Sequence, residues 1–547
     1  MSKEKSDQLA AEPPVVHIPE PTVVSIPEPP VVHIPVQGDD ELLRENAPTH
    51  WYDSFVRMVN WYPKHISKDE RRLLIKVDFV LLSYVCISYF CKALEKSNIT
   101  NAYVSGMKED IDFGGNDLSY AKSLYSAGYI VSMCLGTMFV TRDWARLMLP
   151  VLEITWGVLS ACESAVTNSS QMFALRFLIG FAEGPIFPSV LYIIGSWYNR
   201  DERYRRIMAF SVSSSLGGMF SGYLQSAAYG HLQGVGGHTG WQWGFIIDGA
   251  VIAIPLGVIG IFIFPGTPQQ AKNVWWLKKS DIQLAVDRTI RNGVATPTKL
   301  NWSIVKRTLL RWHVHFFATF WVLLNIVALP DGTGFPLWLK SQSPERFSVA
   351  QVNNYPTIAS AVGVVAQFLI AGFADSYPVY PFLSLCQVLF IISYSSLAAW
   401  DIPDGWRWVC FLIVGFDGVN QMLVSGWIND VTKADAEERA FVLGYSDAVS
   451  QAINIWTNIV FFPTEDAPKF HLGYIISTVG AILMLFLPIL GYFGERWDKK
   501  HNYGLGSEVL VERSTGKIEA TTSIAPSSAL DPSSSLEHEP PAYSATQ

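Results

Sequence analysis

Charge is scarce in this chain. Of its 547 residues, 16% are Asp, Glu, Lys or Arg, against roughly 25% in soluble domains, which excludes a string of ordinary water-soluble domains. Cysteine is scarce too. The six (Cys86, Cys91, Cys134, Cys162, Cys386, Cys410) fall inside or at the edges of apolar runs, and none has CxxC spacing. They read as packing residues, so neither a metal site nor a structural disulfide is expected. No GxxxxGK[ST] string occurs, which removes a P-loop as a source of energy. No nucleophile–base spacing supports an enzyme, no cofactor is expected, and no nucleic-acid partner is indicated. The first forty residues lack a continuous apolar core, so no cleavable signal peptide is expected.

What is abundant is apolar: 49% hydrophobic residues, with 19 Trp. Runs of ~20 residues at 1.5 Å each cross a hydrocarbon core of about 30 Å. Twelve such runs are readable, at about 77–95, 119–140, 147–166, 172–192, 207–229, 241–264, 313–329, 350–373, 381–399, 406–428, 440–462 and 471–493. The fold class is therefore an all-α membrane protein in two six-helix halves, 77–264 and 313–493, joined by a central loop, 265–312. That layout belongs to transporters made of repeated halves. Lys and Arg gather on one side of all twelve spans, so both termini are expected in the cytoplasm and the central loop with them.

Residues 1–50 carry an eight-residue repeat, EPPVVHIP, EPTVVSIP, EPPVVHIP, whose prolines favour extended or disordered chain. Residues 51–76 read as a basic interfacial segment, helical from Lys64 to Lys76. Residues 494–547, rich in Ser and Pro, read as a disordered tail. The tail holds Pro540, Pro541 and Tyr543 in a PPAY string, a ligand for WW domains of the kind that recruit a ubiquitin ligase. Two sequons, at Asn98 and Asn168, are weak glycosylation signals.

The stretch from Arg176 to Arg206, RFLIGFAEGPIFPSVLYIIGSWYNRDERYRR, stands apart. A charge inside a span costs roughly 2.5 kcal/mol or more and marks a function by default. Arg176, Gly180 and Glu183 share one helix face. Arg176 and Glu183 are two turns, about 10 Å, apart along it, so each needs a partner from another helix or a ligand. In one reading Arg176 grips a substrate carboxylate and Glu183 carries the proton, since desolvation favours a protonated carboxyl. In the other, both belong to a permanent charge network. Lys92 and Glu95 are spaced i, i+3 and can pair directly. Lys92, Tyr125, Tyr129, Trp321, Asn325 and Asn454 are further candidates for substrate binding, and Glu95 and Asp248 for proton coupling. Asp248 is expected at the membrane edge. Arg200, Arg205 and Arg206 are expected to meet Glu437 and Glu438 as an inner gate, whose pairs form in one of two states.

Four stretches carry a family resemblance: KSNITNAYVSGMKEDI (96–111), RFLIGFAEGPIFP (176–188), WQWGFIIDG (241–249) and GWIND…EERA (426–440). They resemble the major facilitator superfamily, and within it the fungal anion:cation symporters of the allantoate-permease group. The chain departs from the family pattern at Leu94-Glu95-Lys96, around Arg142, and at Ser376, which follows Asp375 where a basic residue is usual. The resemblance implies a plasma-membrane, proton-coupled importer of a small organic carboxylate, with pantothenate or biotin foremost. Allantoate, nicotinate or small peptides remain alternative substrates, and a transporter-like nutrient sensor an alternative class.

Overall fold

The computed structural model describes residues 61–62, 66–113, 117–142, 144–271, 274–291, 306, 308–328, 334–342, 345–347, 351, 355–433, 435–462, 468–500, 509–514 and 517–522. The N-terminal repeat and Pro540, Pro541 and Tyr543 lie outside the described residues. The first half comprises α1 (Lys68–Ala102), α2 (Asp117–Phe139), α3 (Met148–Glu163), α4 (Ser169–Trp197), α5 (Arg200–Leu232) and α6 (Gly240–Ile263). A short helix, α7 (Lys279–Arg291), lies in the central loop. The second half comprises α8 (Trp312–Ala328), the short α9 (Gly334–Ser341), α10 (Pro356–Ala374), α11 (Tyr380–Ala399), α12 (Asp404–Val431), α13 (Ala436–Phe461) and α14 (His471–Lys500).

Eight of these helices are long and apolar enough to cross a membrane, and α8 is apolar but shorter. Three long helices are less apolar, α2, α5 and α13, and each of them packs across the seam between the halves. In the principal contacts α2 packs on α13, and α5 packs on α10 and α12. A helix that faces protein on two sides presents less surface to lipid and tolerates polar residues. The seam between the halves is therefore bounded by the more polar helices.

Several boundaries differ from the sequence reading. Among the described residues, the basic segment before the first span is continuous with that span. From Lys68 it is the first turns of α1, N-capped by Ser67, whose side chain accepts from Glu70 N. At its other end α1 runs on through the polar stretch at Lys96, and a π-helical turn, Tyr103–Met107, follows. The polarity there is internal: Asn98 is 1% exposed. The last helix continues past the expected end to Lys500. Beyond it, within the segment read as disordered, strands β1 (Val509–Ser514) and β2 (Lys517–Thr522) pair antiparallel, Val509 opposite Thr522. Their β-branched residues suit a pleated ribbon.

Glycine sets the spacing of α2 and α4. A Cβ on Gly180 would run into the Tyr125 carbonyl oxygen, and one on Gly128 into that of Phe177. The two helices thus touch backbone to backbone, which brings Tyr125 to Glu183.

Candidate functional site

The Arg176 guanidinium is 1% exposed and fully engaged by its own half. It faces Glu163 of α3 through Nε (2.9 Å) and Nη2 (3.0 Å), and donates from Nη1 to Glu95 of α1 at 2.9 Å. The Nη1 and Nη2 contacts are aligned as hydrogen bonds, while the Nε approach to Glu163 is a charge contact alone. Arg176 thus already holds two carboxylates of its own half. Of the two readings of Arg176, the arrangement matches the internal network. Glu163, one of several acids in the spans, had nothing in its spacing to single it out.

Glu183 is completely buried and accepts from the Tyr125 hydroxyl at 2.5 Å. It also lies within hydrogen-bonding reach of Glu95. Among the described residues, the buried oxygens Glu95 Oε2 and Glu183 Oε1 have no donor. Two carboxyls in contact satisfy one another only when a proton sits between them. Glu95 does not pair with Lys92, as the i, i+3 spacing had allowed, because Arg176 claims it.

Lys92 turns the other way. It is 5% exposed, donates to the Tyr129 hydroxyl at 3.0 Å and lies over the Tyr129 ring at 4.4 Å and the Tyr89 ring at 5.5 Å. Glu183 of α4 is within its Coulombic range, as are Asp447 of α13, from the other half, and Glu95. Lys92 is thus a seam cation with one hydroxyl partner and two faces of aromatic ring. On the second half, Trp321 of α8 meets Phe187 of α4 edge to face at 6.1 Å. Asn325 donates to Ser450 at 2.5 Å and to the Trp321 carbonyl at 3.2 Å. The Asn454 side chain lies outside the described residues.

Asp248 is completely buried in a π-helical segment of α6, Ile247–Ala253, and accepts from Asn98 at 2.9 Å. Asn98 in turn accepts from Ser221 at 3.1 Å, and Asn101 donates to Ser221 at 2.7 Å. The Asn98 amide is consumed by this network, and Asn168 is the N-cap of α4, accepting from Gln171 N. Irregular helix at membrane depth is tolerated where the protein re-satisfies its polar groups.

At the basic end the charges close the seam with other partners than expected. Arg200 and Arg203 reach Asp430 of α12 at 3.2 and 2.5 Å. Arg205 reaches Asp375, which follows α10, at 2.9 Å, and Asp375 also accepts from Tyr204 N at 2.8 Å. Arg439 donates to Ser196 Oγ at 2.9 Å and lies over Tyr192 at 4.2 Å. Glu438 instead faces Arg311 and His313 within its own half. Arg206 turns back to Asp78 of α1 at 2.8 Å. Glu437 is buried beside them. So Arg200 and Arg205 cross between halves, Arg206 and Glu438 do not, and Asp430 and Asp375 take the expected acidic role. Both acids stand in readable motifs, Asp430 inside GWIND.

The central loop is also docked. Lys76 of α1 meets Asp281 of α7 at 2.5 Å, Arg291 meets Glu70 at 2.5 Å, and Arg288 meets Glu202 at 2.6 Å. Burial alone would raise the Asp281 carboxyl, but Lys76 and the Lys278 backbone N–H hold it below its ordinary value.

Residues 85–455 match the Major Facilitator Superfamily. The chain is 34% identical over 443 residues to the pantothenate transporter liz1 of Schizosaccharomyces pombe, covering 80% of this chain and 84% of that one. It is 30% identical over 491 residues to the vitamin H transporter of Saccharomyces cerevisiae, covering 85% and 82%. Among solved structures it resembles the proton:xylose symporter XylE at a TM-score of 0.59 and 13% identity, over 75% of this chain and 94% of that one.

Proposed function

The chain belongs to the Major Facilitator Superfamily, and from that premise we propose that it imports a small organic carboxylate together with protons. Pantothenate and biotin are the first substrates to test, because the relatives are named for pantothenate and vitamin H. The observation that carries the reading is the pair of undonated buried oxygens on Glu95 and Glu183. Around one guanidinium stand three carboxyls, Glu95, Glu163 and Glu183. Such a cluster approaches neutrality in hydrocarbon only by holding protons.

The anion then goes to Lys92. Arg176 is in direct contact with two carboxylates, whereas the direct partners of Lys92 are a phenol and two rings, with Glu183 and Asp447 farther off in Coulombic range. A carboxylate arriving there trades the Tyr129 contact for a charge-assisted bond. Its negative charge near Glu183 and Asp447 favours uptake of one more proton, which is a direct physical route to symport. Alternating access follows if the Arg200, Arg203 and Arg205 pairs with Asp430 and Asp375 hold one mouth shut and break when the other closes.

Plasma-membrane residence with both termini inside fits the Lys and Arg distribution, and PPAY supports docking of a WW-domain ubiquitin ligase. The test is uptake of labelled pantothenate and biotin in yeast lacking its own carriers, challenged with a panel of carboxylates at acidic and neutral external pH. Acid-stimulated uptake of one vitamin, competed by carboxylates and not by their amides, is the expected result. Competition by the amides as well would end the carboxylate reading.

A further inference from the structure

We infer that the indole N–H of Trp321 is a ligand donor that selects carboxylates carrying a neutral carbonyl, an amide or a ureide, away from the acid group. This rests on the reading of Lys92 as the carboxylate site.

Trp321 is 2% exposed, and its Nε1 has no acceptor among the described residues. Elsewhere the chain supplies indoles with acceptors: Trp197 donates to the Gly266 carbonyl, Trp241 to Asp110, Trp276 to the Ile263 carbonyl and Trp427 to Glu495. A buried N–H left unmade is costly, so each exception calls for a reason. Other buried donors, Tyr84, Trp156, Asn420 and Tyr474 among them, are also without a partner among the described residues. Tyr84 packs on Phe264 of its own half. Trp321 touches the opposite half through Phe187.

A continuous wall of rings connects it to the cation. Lys92 lies over Tyr89, Tyr89 stacks on Phe187 at 5.7 Å, and Phe187 meets Trp321 edge to face at 6.1 Å. A ligand anchored by its carboxylate at Lys92 lays its apolar body along this wall and reaches the indole with whatever follows. The indole is a donor only, so it asks for an acceptor. A second anion there would lack a counter-charge, whereas a carbonyl oxygen needs none. A site with a donor waiting rejects an analogue that leaves it unpaired far more strongly than it rejects a change of one methylene.

The test compares competitors within a single protein, so the amount reaching the membrane cancels. In cells expressing the full chain, uptake of labelled biotin is inhibited by pantothenate, biotin and octanoate. Trp321→Phe keeps the ring and removes the N–H. It is expected to weaken pantothenate and biotin by about tenfold, the size of one neutral hydrogen bond, and to leave octanoate unchanged. Equal weakening of all three, or of none, overturns the assignment. Should Trp321→Phe fail to reach the membrane, the unmutated chain is challenged with biotin and with its thiocarbonyl analogue, a poorer acceptor. About tenfold weaker inhibition by the analogue is expected, and equal inhibition overturns the assignment. Lys92→Gln separates the two readings. Undiminished uptake in Lys92→Gln ends the carboxylate site and this inference with it. Lys92-dependent uptake with an unchanged Trp321→Phe ratio ends the indole assignment alone.

Discussion

Arg176 on α4 donates to Glu95 on α1 at 2.9 Å, in the same guanidinium that grips Glu163 on α3. The most conspicuous cation of the spans is thereby a bolt between three helices of one half. Its removal leaves two carboxyls buried without a counter-charge.

Arg176→Ala is therefore expected to destabilise the first half by about 3–5 kcal/mol, the cost of breaking a buried pair from one side. Surface abundance and thermal stability in detergent both fall. An Arg176→Ala protein of normal stability that fails only in substrate binding would return Arg176 to the substrate site.

Glu183→Gln is expected to abolish accumulation driven by external acid while retaining exchange of internal for external substrate. Glu183 makes its direct contacts with Tyr125 and Glu95 and reaches Lys92 only through its charge, so the neutral glutamine leaves the anion's direct contacts in place. The check is efflux from preloaded cells with labelled substrate outside. If the accumulation ratio still follows external pH, Glu95 or Asp248 carries the proton.

Lys92→Gln is expected to raise KM by roughly ten- to a hundredfold, the value of a charge-assisted bond. Lys92→Arg retains part of it. The comparison is of initial rates at matched surface abundance, and a lowered maximal rate with unchanged KM counts against the anion site.

The seam pairs give a conformational prediction. Asp375→Arg, facing Arg205, is expected to open the basic mouth by a few kcal/mol and to expose a cysteine placed at Ser196, a buried residue of near-equal size, to a membrane-impermeant thiol reagent from that side. Arg205→Asp added to Asp375→Arg restores protection. Exposure that persists in the double variant means the pair holds nothing closed.

The docked loop has a pH dependence of definite sign. The Asp281 carboxyl is held below its ordinary value by Lys76, so the stability it contributes is fully present above the unfolded pKa of about 3.9. It is lost as pH falls through the lower, folded value. Asp281→Asn is expected to cost no more than about 1 kcal/mol at neutral pH and to melt together with the parent in strong acid. A difference that widens on acidification would reverse the assignment.

Particular residues show how far the primary sequence reached. Arg176, Gly180 and Glu183 declared themselves because charge and a small residue recur on one helical face, a property of local chain geometry. The twelve spans were readable for the same reason, since length and hydropathy are local. The partners were not readable. Lys92 and Glu95, one turn apart, looked like a pair, yet Arg176 from α4 takes Glu95 and leaves Lys92 to Tyr129. Arg206 looked like part of a gate and closes instead on Asp78.

The stretch from Arg176 to Arg206 by itself determined that charge lies buried in a span and that a basic cluster ends it. Only the tertiary structure decided that the buried arginine is neutralised from within, that Arg200 and Arg205 cross the seam, and that Trp321 holds an unmet donor there. Which helix comes to lie against which is set by close packing over the whole fold, as where Gly128 and Gly180 let α2 and α4 meet. No spacing along one chain segment encodes that.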